Sequence, residues 1–153
     1  MYSFYIDGDD IKKFMNIFLK EDKFDKFEVR SCELTTFVAF DIDCRLNKSW
    51  FDEAPEREYC KWRELKPYIF ELIKGKKKPK SMKFVMALSQ KAAEKIHPNA
   101  QVCFINIVFE EDKVGVVTGT AQKEFSLDKT LELAWGEKIR EFFEKLQITQ
   151  NLI

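Results

Sequence analysis

A chain of 153 residues, 45% hydrophobic and 34% charged, has the size and balance of one globular domain with its own core, and argues against intrinsic disorder. Lys plus Arg and Asp plus Glu both number 26, so no global field draws the protein to nucleic acid or an acidic membrane. An electrostatic partner has to be met by a local patch.

Residues 2–6 read as a short strand, and Asp7-Gly8-Asp9-Asp10 as a turn with an N-cap. Ile11, Phe14, Met15, Phe18 and Leu19 then fall on one helical face that ends near Lys20. Residues 27–46 read as extended. Val38, Phe40, Ile42, Cys44 and Leu46 alternate with Ala39, Asp41, Asp43 and Arg45, a period of two that marks a half-buried strand. Phe27 to Leu34 is its antiparallel partner, joined by a tight connection near residues 33–36. Residues 52–74 have helical tendency, and Pro67, which lacks an amide donor, predicts two helices there. The first starts near Pro55 and carries Tyr59, Trp62 and Leu65; the second starts at Pro67 and is closed by Gly75.

Met82 to Leu88 reads as a strand, and Ser89 as the cap of a short helix through Ile96. Pro98-Asn99 makes a turn. Val102 to Phe109, apolar on both faces apart from Asn106, belongs in the middle of a sheet. Residues 110–113 form a loop, 114–120 return as a thinner strand, and 123–126 extend it or form another. A final helix spans about 128–147 with Leu131, Ala134, Trp135, Ile139, Phe142 and Leu146 inward; Gly136 within it costs about 1 kcal/mol relative to Ala.

These elements predict an α+β fold: one domain over 1–153, with an antiparallel or mixed sheet packed by the N- and C-terminal helices. Fifteen Phe against five Gly predict an aromatic-rich core. Residues 1–46 and 82–126 share the order strand, helix, strand, strand, a duplication of the kind found in sliding-clamp domains; a generic α+β sandwich is the favoured alternative.

Chemistry-bearing residues are sparse. The cysteines Cys32, Cys44, Cys60 and Cys103 have no C-x-x-C spacing and no close His, which argues against zinc. Reduced, mostly buried thiols, no visible signal peptide and no apolar run long enough to span a bilayer predict a cytoplasmic protein without membrane association. The lone His97 is expected to cap a helix end. Asp41 and Asp43 form a carboxylate pair that a metal-dependent enzyme would need to supplement with further ligands. No P-loop, G-x-G-x-x-G, G-x-S-x-G or H-E-x-x-H occurs, and no cofactor is implied.

The one uninterrupted run of like charge is Lys74-Gly75-Lys76-Lys77-Lys78-Pro79-Lys80. Its bland reading is a solvated helix-to-strand loop. Its functional reading is a nucleic-acid contact through Lys76, Lys77, Lys78 and Lys80, with Trp62 or Tyr68 stacking on a base. The leading expectation is a non-enzymatic binding or interaction protein with an unidentified protein partner. Nucleic-acid binding through the basic loop is the first alternative, and a metal-dependent enzyme using Asp41 and Asp43 the second.

Three stretches carry a family resemblance: residues 40–48 (Phe-Asp-Ile-Asp-Cys-Arg-Leu-Asn-Lys), Trp62 to Pro67 with Leu72 to Lys76, and Thr118-Gly119-Thr120 with Phe125 to Lys129. Together they resemble a family of small bacterial proteins, mainly of anaerobic Firmicutes, defined only as a domain of unknown function. The pattern departs at Cys44, where glycine is expected. The resemblance implies a bacterial cytoplasmic protein and brings no catalytic residue with it.

Overall fold

A computed structural model describes residues 1–153. Seven strands form one antiparallel sheet: β1 (Ser3–Ile6), β2 (Glu28–Thr35), β3 (Ala39–Ile42), β4 (Ser81–Ala87), β5 (Ala100–Glu110), β6 (Lys113–Gln122) and β7 (Asn151–Leu152). Their order is β3-β2-β4-β5-β6-β1-β7, which puts β5 in the middle, as its apolar sequence requires. Four helices complete the fold: α1 (Asp9–Lys20), α2 (Trp62–Ile73), α3 (Gln90–Ile96) and α4 (Thr130–Lys145). The α+β class and the packing by N- and C-terminal helices are as expected.

The pleat sorts the residues. On β5, Cys103, Ile105, Ile107 and Phe109 are buried, while Val102, Phe104, Asn106 and Val108 are half-buried on the other face. The buried face meets α1, α2 and α4 through aromatic side chains. Phe14 packs against Phe18, Phe24, Phe109 and Phe143, and Phe18 against Trp62 and Phe84. Offset and edge-on rings of this kind add specific attraction to the apolar area they bury. Phe143, which the helical pattern left off the inward face of α4, is fully buried, whereas Phe142 is half-buried.

Local signals explain the segments that match expectation. Ser89 Oγ accepts the Ala92 amide over 3.3 Å and starts α3. Glu110 and Lys113 pair across a two-residue turn with Glu111 at φ 53°. Gly8 serves as the N-cap of α1, and Asp9 and Asp10 follow it in the first turn, where the helix dipole favours negative charge.

The region 52–74 differs from the expected two helices. α2 is one helix that starts at Trp62 and passes through Pro67. Proline removes a single amide bond in the second turn, and the burial of Trp62 and Ile69 on either side holds the helix through it. Residues 58–61 are extended because other strands claim them. Leu46 N donates to Glu58 O and Cys60 N to Cys44 O, while Val29 N donates to Cys60 O. Pairing across the chain thus overrides the local helical tendency. Gly75 does follow α2 with a positive φ of 133°, although the closing bond is Lys74 N to Phe70 O.

The strand expected over residues 38–46 pairs with β2 only through Ala39–Ile42, and then exchanges that partner for residues 58–60. Residues 123–126 form no strand, and β7 is an unanticipated addition to β1. The two strand-helix-strand-strand units also pair differently. β4 lies beside β5, whereas β1 lies beside β6 and β7, far from β2. The shared element order therefore does not extend to equivalent sheet positions.

Candidate anion-binding groove

The lysine run leaves α2 and enters β4, and the sheet register fixes what it meets. Thr35 pairs with Ser81, and Lys80 N donates to Thr35 O over 2.8 Å. This brings the loop alongside the β2–β3 turn, residues 36–38. Between them lies a groove of about 550 Å³ lined by Thr36, Phe37, Leu72, Ile73, Lys74, Lys77, Lys78 and Lys80. Four ammonium groups enter its lining and no carboxylate does. Lys74 is held 2.6 Å from Glu71 on the adjoining helical turn.

Two apolar side chains of the lining reach solvent. Phe37 is 90% exposed at the turn tip, and Leu72 lies on the α2 face that also carries the exposed Tyr68 one turn earlier. Exposing a whole phenyl ring forfeits the stabilisation that its burial would give, about 1.5–3 kcal/mol. The Thr36 hydroxyl is out of solvent contact and has no hydrogen-bond partner. Unsatisfied buried polar atoms are rare because each costs about 1–3 kcal/mol. The groove thus combines an uncovered ring with three lysines, Lys77, Lys78 and Lys80, that have no ion-pair partner.

Beyond the loop, Lys78, Pro79 and Lys80 also line a second groove of about 570 Å³ with Ile11, Met15 and Phe109. Glu110, Glu111 and Asp112 join its lysines, so its charge is mixed. An anion is favoured in the first groove.

Of the residues singled out by sequence, Lys77, Lys78 and Lys80 converge on the groove, whereas Lys76 is exposed on the loop outside its lining. Trp62 is removed from any stacking role: it is fully buried, lies nearly parallel to Phe18 and donates its indole N–H to Phe18 O. Thr36 and Phe37 went unnoticed in the sequence. A phenylalanine at the tip of a tight turn, preceded by two threonines, was the available signal.

The remaining candidates stand elsewhere. Asp41 lies opposite Glu33 on the exposed edge of the sheet. Asp43 Oδ1 accepts the Arg45 amide over 3.0 Å. No group of three or more His, Cys, Asp or Glu side chains converges anywhere in the molecule, so the pair lacks the further ligands that its metal reading requires. His97 Nδ1 accepts the Asn99 amide at 3.0 Å, and Nε2 lies 2.9 Å from Thr130 Oγ1. Nδ1 thus fixes the turn that follows α3, and Nε2 ties the end of α3 to the start of α4. Cys32, Cys44 and Cys103 are buried and Cys60 is half-buried. No helix is long and apolar enough to cross a membrane.

No curated protein and no solved structure matches the chain. One family model does, over residues 17–151, and it is described as a family of unknown function, DUF5721. The match takes in the groove, the lysine run and nearly all of the sheet, and the chain belongs to that family.

Proposed function

We propose that the protein is a non-enzymatic binding module that holds a segment of single-stranded nucleic acid across the groove between the lysine loop and the β2–β3 turn. The observation that carries this reading is the pairing of four lysines and no carboxylate with a 90% exposed phenylalanine in one concavity. Single strands are held in this way when ammonium groups track the phosphates and a ring stacks on a base. Lys77, Lys78 and Lys80 supply the phosphate contacts, with Lys76 adding to the field from outside the groove. Phe37 supplies the stacking platform. Lys74, already engaged by Glu71, contributes less.

The zero net charge of the chain supports a local, sequence-tolerant contact rather than long-range capture. Four unpaired thiols support a reducing, cytoplasmic setting, and the family resemblance supports a bacterial source. The reading is tested by titrating fluorescein-labelled oligo-uridine and oligo-thymidine with the protein at low salt. Binding is expected, and it should be lost when Lys77, Lys78 and Lys80 become Gln. Equal anisotropy for the intact protein and the triple variant would contradict it. Competition by polyglutamate but not by unlabelled oligonucleotide would assign the groove to an acidic polypeptide instead.

A further inference from the structure

Cys44 and Cys60 are distant in sequence but opposite one another in space. Arg45 and Tyr59 form an antiparallel bridge, with Leu46 N donating to Glu58 O and Cys60 N to Cys44 O at 2.9 Å. The residues flanking that bridge are therefore in register, Cys44 against Cys60. Residues paired directly across antiparallel strands have Cα atoms about 4.5–5.5 Å apart and side chains on the same face. That span lies within the roughly 4.4–6.8 Å that a disulfide bridges without moving the backbone.

The two thiols also differ as a reacting pair should. Cys44 is buried at 3% exposure, and its Sγ lies 3.4 Å from Ile42 O. Cys60 is half-buried at the margin of the core and is the more accessible of the two. The neighbouring Cys44 thiol draws the Cys60 thiol below its ordinary range; burial and the Glu64 carboxylate oppose this and Arg57 assists it. The same interaction, together with burial, pushes the Cys44 thiol up. Cys32, close enough to feel the Cys60 charge, is pushed up to about 12, chiefly by burial, and stays protonated.

The geometry points to Cys44 and Cys60 as a two-thiol redox site that a hydroperoxide converts into an intramolecular disulfide. The Cys60 thiolate attacks one peroxide oxygen, the O–O bond breaks, and Cys60 becomes a sulfenic acid while the other oxygen leaves as water after taking a proton. The Cys44 sulfur then attacks the Cys60 sulfur, its proton joins the departing hydroxyl, and a second water leaves as the S–S bond forms. Two thiols lose two electrons in total and one hydrogen peroxide becomes two waters. The bond clamps the ends of segment 45–59 and fastens the end of β3 to the start of α2. Cys60 is the attacking residue, Cys44 the resolving one, and Cys32 a bystander.

The test treats the reduced full-length protein with one equivalent of hydrogen peroxide, unfolds it, alkylates free thiols and maps them by mass spectrometry. The expected result is loss of two of the four alkylatable thiols and a linked Cys44–Cys60 peptide two hydrogens lighter than its reduced parts. In Cys44→Ser, oxidation should stop at a Cys60 sulfenic acid that dimedone traps; in Cys60→Ser, all three remaining thiols should survive. Circular dichroism of both variants confirms that they are folded before treatment. Four intact thiols, a link through Cys32, a link between two chains, or dimedone-labelled Cys60 accumulating in the wild-type protein would each overturn the assignment.

Discussion

The indole of Trp62 lies 4.3 Å from the ring of Phe18, tilted by only 19°, and its N–H donates to the carbonyl of the same residue over 2.8 Å. One residue of α2 is thus bound to α1 by both a stacked ring and a buried hydrogen bond. Trp62→Phe keeps most of the ring and leaves the Phe18 carbonyl without that donor. The expected loss is about 1–3 kcal/mol in urea unfolding, the usual cost of orphaning a buried polar group. Oligonucleotide affinity should stay unchanged, because Trp62 is nowhere exposed. An affinity loss without a stability loss would return Trp62 to the binding surface.

Gly136 tests how closely α4 approaches the sheet edge. A Cβ built there would stand 3.0 Å from Tyr2 Cβ. Tyr2 has little room to yield, because its amide donates to Thr118 Oγ1 and its carbonyl accepts the Thr118 amide, each at 2.9 Å. Alanine at 136 gains about 1 kcal/mol of helix propensity. Overpacking against a fixed neighbour costs about 1–3 kcal/mol. Gly136→Ala is therefore expected to destabilise by about 1 kcal/mol in urea unfolding, and a stabilised variant would show that β1 moves aside.

Alkaline pH should weaken the fold. Burial pushes the Cys32 thiol up to about 12 and the Cys103 thiol up to about 11, while an unfolded thiol titrates near about 8.5. A raised pKa means that folding favours the protonated form. Its contribution is complete below the unfolded value and is lost as pH rises through the folded one. The urea midpoint should hold between about pH 7 and 8 and fall from about pH 9 upward. Replacing Cys32 and Cys103 by Ala should flatten that fall, and a midpoint that rises between about pH 9 and 10.5 would contradict the assignment.

Those thiols were legible as buried because they sit in clear strand patterns. So were Ser89 as a cap, β5 as the central strand and the inward face of α1, since each depends on residues only a few positions apart. What failed to show in the sequence depends on pairing between distant segments. Residues 58–61 carry a helical tendency, yet the edge of β2 and the end of β3 hold them extended. The same pairing sets Cys44 against Cys60, which their spacing alone does not suggest. Half of the groove was visible as Lys77, Lys78 and Lys80. The other half, Thr36 and Phe37, reaches them only through the Thr35–Ser81 register. Lys76 illustrates the reverse: it belongs to the run in sequence and lies outside the groove in space.

Phe37→Ala separates stacking from charge. If the ring carries a base, its removal should cost about 1–3 kcal/mol of binding and leave the salt dependence alone. Stability should stay near that of the wild type, because the ring is 90% exposed. Unchanged affinity would remove Phe37 from the site.

The most direct measurement is oligonucleotide affinity as a function of salt, for the intact protein and for the variant with Lys77, Lys78 and Lys80 changed to Gln. Each phosphate neutralised on a single strand contributes about −0.7 to the slope of log affinity against log salt. Three lysines engaged in the groove predict a slope of about −2, falling toward zero in the variant together with the affinity. A shallow slope common to both proteins, or no binding by either at low salt, would contradict the claim that this groove holds a nucleic-acid strand.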